Sequence, residues 1–309
     1  MWYCLASEMK NFFNYGPVLI IIAAVLWGVD GVLRRSLFSL TPITIVFFEH
    51  VIGALLIAPF FFRTFRQERL TGQEWRALIL VSLLSGVLGT LWFTTALQKT
   101  NFIPFSVVFL LQKLQPLFTV ATASIVLKER IGKKYVGWAA LAIIAAYFVT
   151  FPGGAVNFST GSGTALAALF AVGAAFAWGS STAFSRFTLL KHSHTFITGM
   201  RFFLTVPLSL ILLFFLTKST AIAVPSPEQL GWLFAIALST GMVALWIYYR
   251  GLKQTEAKVS TVLELVFPLT AIAIDFFIYH TVLSWTQYAA AAVLFYAVYH
   301  ISKSYKEIS

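Results

Sequence analysis

The feature that most limits what this chain can become is a string of apolar runs, each about 18 to 23 residues long, recurring from residue 17 to residue 302. A helix of that length crosses a ~30 Å hydrocarbon core. Inside such a core only a helix or a closed barrel satisfies every backbone N–H and C=O. Hydrophobic residues fill 59% of the 309 positions and charged residues 11%, about half the charged share of an ordinary soluble domain, so a water-soluble fold has no means of hiding this surface. The runs predict spans near 17–34, 43–62, 77–98, 104–127, 135–151, 164–187, 195–217, 229–249, 258–280 and 285–302. The expected fold is an all-α integral membrane protein of ten transmembrane helices. The first run is too long for a signal-peptide core, has no small-residue cleavage site before Arg34 and Arg35, and is read as retained.

A net charge of +11 raises the question of a nucleic-acid partner, and the placement of the basic residues answers it. They alternate. Sixteen fall in the N-terminal segment, the even-numbered connections and the C-terminal tail: Lys10, Arg63, Arg66, Arg69, Arg76, Lys128, Arg130, Lys133, Lys134, Arg186, Lys191, Arg250, Lys253, Lys258, Lys303 and Lys306. The opposite connections hold Arg34, Arg35, Lys99 and Lys218. The positive-inside rule then places both termini in the cytoplasm. Basicity reports orientation, with no nucleic acid implied, and the expected location is a prokaryotic cytoplasmic membrane. The connections around 63–76, 152–163 and 218–228 are too short to hold a soluble domain, which confines any activity to the helices.

The chain repeats itself. Trp27-Gly28 returns as Trp178-Gly179, the run LWFTTALQKT from Leu91 returns as LWIYYRGLKQT from Leu245, and Pro116 returns as Pro268. These offsets stay between 151 and 155 residues and carry five spans, an odd number, so the second copy enters the membrane with opposite orientation. The expected organisation is a cytoplasmic segment over 1–16, a first five-helix repeat over 17–151, a second over 164–302 and a cytoplasmic tail over 303–309. In transporters, inverted repeats place the solute near the midplane where the halves meet.

With these residues in view the chain resembles the EamA-like branch of the drug/metabolite transporter superfamily over nearly its whole length. The likeness rests on the tryptophan-glycine pairs in spans 1 and 6, the prolines in spans 4 and 9, and the LKERI stretch at 127–131. The resemblance implies two five-helix repeats and secondary transport of amino acids, nucleotide-related compounds or other small metabolites. The chain departs from the pattern at Glu49, where an arginine is usual and where Arg201 stands in the second half, and at Thr281, which falls where the counterpart of Glu129 belongs.

Ionisable side chains inside a span are expensive, about 2.5–3.5 kcal/mol each on insertion scales, and mark function by default. Asp30, Glu49, Lys113, Arg201, Glu264 and Asp275 qualify. Depth counted at ~1.5 Å per residue sets Glu49 near Lys113 and Arg201 near Glu264. Two ion pairs with exchanged signs are expected, either lining and gating a central cavity or locking adjacent helices. Asp30 shares a helix face with Trp27 and Arg34, and a salt bridge to Arg34 or Arg35 at the outer interface is the simpler reading. Asp275 is expected near the outer mouth. The four acids against two bases favour a cationic or zwitterionic solute, or exchangeable protons.

Gln112, Lys113 and Gln115 precede Pro116, and Glu264 precedes Pro268, so both helices are expected to kink where a solute could use freed backbone groups. Trp27, Trp92, Trp178 and Trp246 match across the repeats and are candidates for gates or stacking surfaces, with packing as the alternative. The histidines fall short of a metal constellation, and no cofactor is expected. Neither HExxH, a P-loop nor GxSxG occurs, so an intramembrane enzyme lacks its machinery, and two inverted halves suit alternating access better than an open channel. The expected function is export of an amino acid or similar metabolite, with import or exchange of a nucleotide-like cofactor such as S-adenosylmethionine as the alternative. The expected partners are a small-molecule substrate, the lipid bilayer, and protons or a counter-substrate for coupling.

Overall fold

A computed structural model describes residues 15–99, 107–156, 158, 163–218, 222–277 and 284–306. Thr281 and the side chain of Asp275 lie outside the described part. The described elements are helical: α1 (Gly16–Arg35), α2 (Pro42–Phe65), α3 (Gly72–Val81), a π-helical stretch (Ser82–Gly89), α4 (Thr90–Lys99), α5 (Val107–Gln112), α6 (Gln115–Val126) and α7 (Lys133–Thr150) in the first half. The second half holds α8 (Thr164–Leu189), α9 (His194–Thr217), α10 (Pro227–Leu238), α11 (Met242–Gln254), α12 (Ala257–Leu263), α13 (Phe267–Phe277) and α14 (Trp285–Lys306). Helix thus occurs in each of the ten expected segments. Among the described residues six stretches, counting α3–α4 and α10–α11 as one each, are long and apolar enough to cross a membrane.

Local chemistry starts these helices where the apolar runs begin. Thr41 caps α2 and Ser193 caps α9 through their hydroxyls. Reciprocal capping boxes open α3 (Thr71 with Glu74) and α10 (Ser226 with Gln229). Each device recurs in the other half at an offset of 152 or 155 residues.

The breaks recur as well. The fourth segment stops at Gln112, turns through Lys113 and Leu114, and restarts at Gln115 with Pro116 in its first turn. The ninth passes through a 3-10 turn, Glu264–Val266, before α13. The third carries the π stretch and the eighth breaks between Leu238 and Met242. Such interruptions are tolerated at membrane depth where neighbouring protein re-satisfies the freed backbone groups.

Packing follows the same exchange. α1 lies against α11 and α13 of the second half, while α8 lies against the third and fourth segments of the first. α2 pairs with α9, and α7 with α14. The two tryptophan-glycine pairs find their explanation here. A Cβ at Gly28 would meet the Thr270 side chain and stand 2.9 Å from the Phe267 carbonyl oxygen, and one at Gly179 would stand 2.7 Å from the Gln115 carbonyl oxygen and 3.1 Å from the Thr119 nitrogen. Only glycine lets α1 and α8 come this close to the broken helices.

Ion pairs and caps tie the halves together at one end of the bundle. Glu68 accepts from His192 Nδ1 (2.7 Å) and the Ser193 amide (3.0 Å), and Glu74 pairs with Lys191 (3.1 Å). Burial disfavours the charged form of Glu68, but these hydrogen bonds outweigh it and hold its carboxyl below the ordinary value of 4.5. Glu129, within the LKERI stretch, caps α12 by accepting from the amides of Ala257 (2.8 Å) and Lys258 (3.0 Å), and it pairs with Arg186 (3.4 Å).

Gly179→Ala should lower the melting temperature in detergent, followed by fluorescence-detected size exclusion, because overpacking against backbone costs about 1–3 kcal/mol. Gly137→Ala, where a Cβ meets nothing within 4 Å, should leave it unchanged or slightly raised. Equal behaviour of the two variants would overturn the close-approach reading.

Candidate functional site

Where the halves meet, a cavity of about 360 Å³ opens between α1, α2, the third and fourth segments, α8, α9, α11 and the ninth segment. Of its lining, Gly31 and Arg35 are exposed, whereas Ser185, Tyr249 and Thr261 are buried. The buried part lies toward the tied connections.

Two aromatic pairs flank it. Trp27 meets Tyr248 with ring centroids 5.0 Å apart at 54°, and Trp178 meets Phe93 at 5.2 Å and 56°. Each pair joins one half to the other and each tryptophan is the repeat-mate of the other. The Trp178 indole N–H donates to the Ser85 carbonyl oxygen (3.3 Å) within the π stretch, so the irregular backbone there holds the ring in place.

One wall carries a charge cluster. Arg34 bonds Asp30 through Nε, and its Nη2 donates to both oxygens of Glu49 (2.9 and 3.1 Å). Thr240, at the break in the eighth segment, donates to the other Asp30 oxygen (2.6 Å). Asp30–Arg34 is the local bridge expected from their spacing, but Arg34 does not stop at the outer interface; its side chain is 7% exposed and reaches inward to Glu49.

The two expected ion pairs are corrected. Glu49 pairs with Arg34 and not with Lys113, and Glu264 accepts from Tyr248 Oη (2.6 Å) and Gln115 Nε2 (2.9 Å) rather than from Arg201. Arg201 instead donates to Tyr249 Oη (3.2 Å), which is also bonded to Ser185 (2.8 Å). Counting rise along an axis gives depth but not direction around the helix, and depth alone does not choose between partners. Lys113 and Glu264 do occupy matching positions, each in the break of its helix. Lys113 is buried at 4% exposure, its Nζ sits 4.3 Å from the centre of the Phe267 ring, and it finds no hydrogen-bond acceptor.

Of the candidate residues, Trp27, Asp30, Glu49, Gln112, Gln115, Trp178, Arg201 and Glu264 line the cavity; Trp92, Lys113 and Trp246 do not. Gln112 is spent on the Ala171 carbonyl oxygen (3.0 Å). The Trp92 ring fills the space over Gly173, and Trp246 donates to Thr195 Oγ1 (3.0 Å) beside His194. Sequence reasoning passed over Phe93, Tyr248, Tyr249 and the hydroxyls Ser181, Thr182 and Ser185, all in the lining. The signals existed. The tyrosines lie inside the repeated LWIYYRGLKQT run, and Thr182 and Ser185 follow Trp178 at helical spacing.

The profile of the EamA-like transporter family matches residues 14–151 and again residues 165–303. The chain belongs to the EamA-like transporter family. This EamA-like chain is a multi-pass protein of the cell membrane and a transporter of a small-molecule substrate. It is 33% identical over 293 residues, 93% of its length and 97% of the relative's, to the riboflavin transporter ImpX of Fusobacterium nucleatum subsp. nucleatum. It is also 26% identical over 205 residues, 60% of its own length and 57% of the relative's, to an uncharacterized transporter of Methanothermobacter thermautotrophicus. A solved crystal structure of a protein 16% identical shares the fold with a TM-score of 0.73, over 95% of this chain and 98% of that one.

Arg34→Gln strands the buried Glu49 and the half-buried Asp30 and should cost about 3–5 kcal/mol, seen as loss of monodisperse protein or a large drop in melting temperature. Adding Glu49→Gln should restore part of the loss. If the single variant melts like the wild type, the cluster is not what neutralises this wall.

Proposed function

We propose that this transporter carries riboflavin, or a planar hydroxylated heterocycle of the same kind, by alternating access between two inverted five-helix halves. The observation that carries this reading is the lining of the cavity: two aromatic pairs together with amides and hydroxyls, in a volume within the roughly 300–1,000 Å³ typical of small-molecule sites. Flat aromatic surfaces suit a fused ring system, and Ser181, Thr182, Ser185 and Gln115 suit a polyol chain. The name of the 33% identical relative supports the same substrate.

Amino acid export was expected from a surplus of intramembrane acid, and S-adenosylmethionine exchange from the same surplus. Arg34 takes up Asp30 and Glu49 together, which weakens the ground for both. The remaining cavity carboxylate, Glu264, has neutral partners, which leaves it available to a proton as the coupling species, with a counter-substrate as the other route.

Ten spans with both termini cytoplasmic is the arrangement supported by the alternating basic residues and by helix in all ten segments. The repeats over 17–151 and 164–302 then act as the two moving units. In that orientation Gly31 and Arg35, the exposed part of the lining, face outward, and the tied end, at the connections rich in lysine and arginine, faces the cytoplasm.

Expression in a riboflavin-requiring bacterial strain lacking its own transporter should restore growth on low riboflavin and uptake of labelled riboflavin. Trp178→Ala should reduce uptake about fivefold or more while the protein still reaches the membrane, because it removes one stacking surface worth ~1–3 kcal/mol. Growth rescue absent with well-expressed wild type, or uptake of labelled amino acids in its place, would overturn the flavin reading.

A further inference from the structure

Charge in this cavity is compensated unevenly. Asp30, Arg34 and Glu49 form one linked cluster, two carboxylates on a guanidinium whose Nη1 has no hydrogen-bond partner. Of the other lining charges, two take hydrogen bonds only from or to neutral groups: Arg201 bonds Tyr249 through Nη1, with its Nε unpartnered, and Glu264 is held by Tyr248 and Gln115. Glu49, which faces Arg201 across the cavity from α2, has both oxygens on Arg34, and neighbouring His50 points its Nδ1 at the Val46 carbonyl oxygen. Neither Arg201 nor Glu264 makes a salt bridge, although Glu49 is near enough to Arg201 for Coulombic attraction. A charge facing a low-dielectric cavity gains most from a ligand dipole of the right sense, because the competing solvent is absent.

The surroundings of the two differ. Arg201 sits among rings, Phe202, His50 and Tyr249, the last with its ring centre 5.8 Å from the guanidinium carbon. Glu264 sits among hydroxyl and amide groups, with Tyr248, Ser260 and Gln115 around it and Thr182 and Thr261 in the same stretch of lining. Guanidinium donors and flat rings match the carbonyl edge of a heterocycle. A carboxylate ringed by hydroxyls matches a chain of alcohols, to which it is a pure acceptor.

We propose that Arg201 and Glu264 set the direction in which the substrate lies, Arg201 reading the carbonyl edge of the ring and Glu264 reading the polyol chain. The inference rests on the flavin reading above and adds to it a polarity along the cavity. A site built to bond a hydroxyl rejects an analogue without it far more strongly than an apolar pocket rejects a lost methylene, because the buried group is left unpaired. The two residues therefore act as separate specificity determinants for the two ends of one molecule.

The test uses detergent-purified full-length protein, with binding followed by quenching of flavin fluorescence. The ligands are riboflavin and lumiflavin, which keeps the ring system and replaces the polyol chain by a methyl group. Glu264→Gln should weaken riboflavin about tenfold or more, the factor equivalent to ~1.4 kcal/mol, and leave lumiflavin little changed. Arg201→Gln should weaken both ligands by similar factors, and Arg201→Lys, which keeps the charge and loses the fork, should recover part of the loss and stands in if the glutamine variant fails to fold. Equal losses of both ligands in Glu264→Gln, or unchanged binding in the Arg201 variants, would overturn the assigned direction while the flavin reading stands. Wild type that quenches neither flavin overturns the flavin reading and this inference together.

Discussion

The structure depends on a constraint set by the solvent around it: a helix that breaks inside hydrocarbon must find partners in its own chain for the backbone groups it frees. The fourth segment breaks at Lys113–Leu114 and the ninth at Glu264–Val266. Both breaks are therefore covered by another helix at close range, α8 over one and α1 over the other, and Gly179 and Gly28 make that range attainable. The cavity exists because these contacts hold the irregular backbone at its wall and not in lipid. The aromatic pairs follow from the same geometry, since Trp27 and Trp178 immediately precede the two glycines.

Electrostatics divides the interior into two kinds of charge. Asp30, Arg34 and Glu49 form a closed cluster whose value is structural as much as functional, because losing any member exposes the others. Arg201 and Glu264 lean on neighbouring tyrosines, Tyr249 and Tyr248, and retain capacity for a ligand. Adjacent residues of one helix thus serve both free charges, and α11 is the element through which they are related.

Much of this was legible in the sequence, for definite reasons. Apolar length sets span positions, so each of the ten expected segments holds helix, and repetition of Trp-Gly and of the prolines marked the helices that border the cavity. Partners within the membrane were not legible. Arg34 stands at the end of α1 and was read as interfacial, yet its long side chain turns inward to Glu49. Trp92 and Trp246 repeat as faithfully as Trp27 and Trp178, but repetition records equivalence between halves and not which face of a helix meets the cavity. Phe93, Tyr248 and Thr182 went unnoticed because an aromatic or a hydroxyl in an apolar run gives no signal until its neighbours are known.

The closed charge cluster has a consequence for biogenesis. All three of its members belong to α1 and α2, so their pairing does not wait for the second half, whereas α1 and α2 must wait for α9, α11 and α13 before their packing surfaces are covered. A nascent chain halted after the fifth segment would therefore hold Asp30 and Glu49 paired with Arg34, with Lys113 still without an acceptor, while its helix–helix surfaces stayed open to lipid. The order of synthesis places electrostatic compensation first and shape complementarity second, which lets the early helices insert as a tolerable intermediate until their partners arrive.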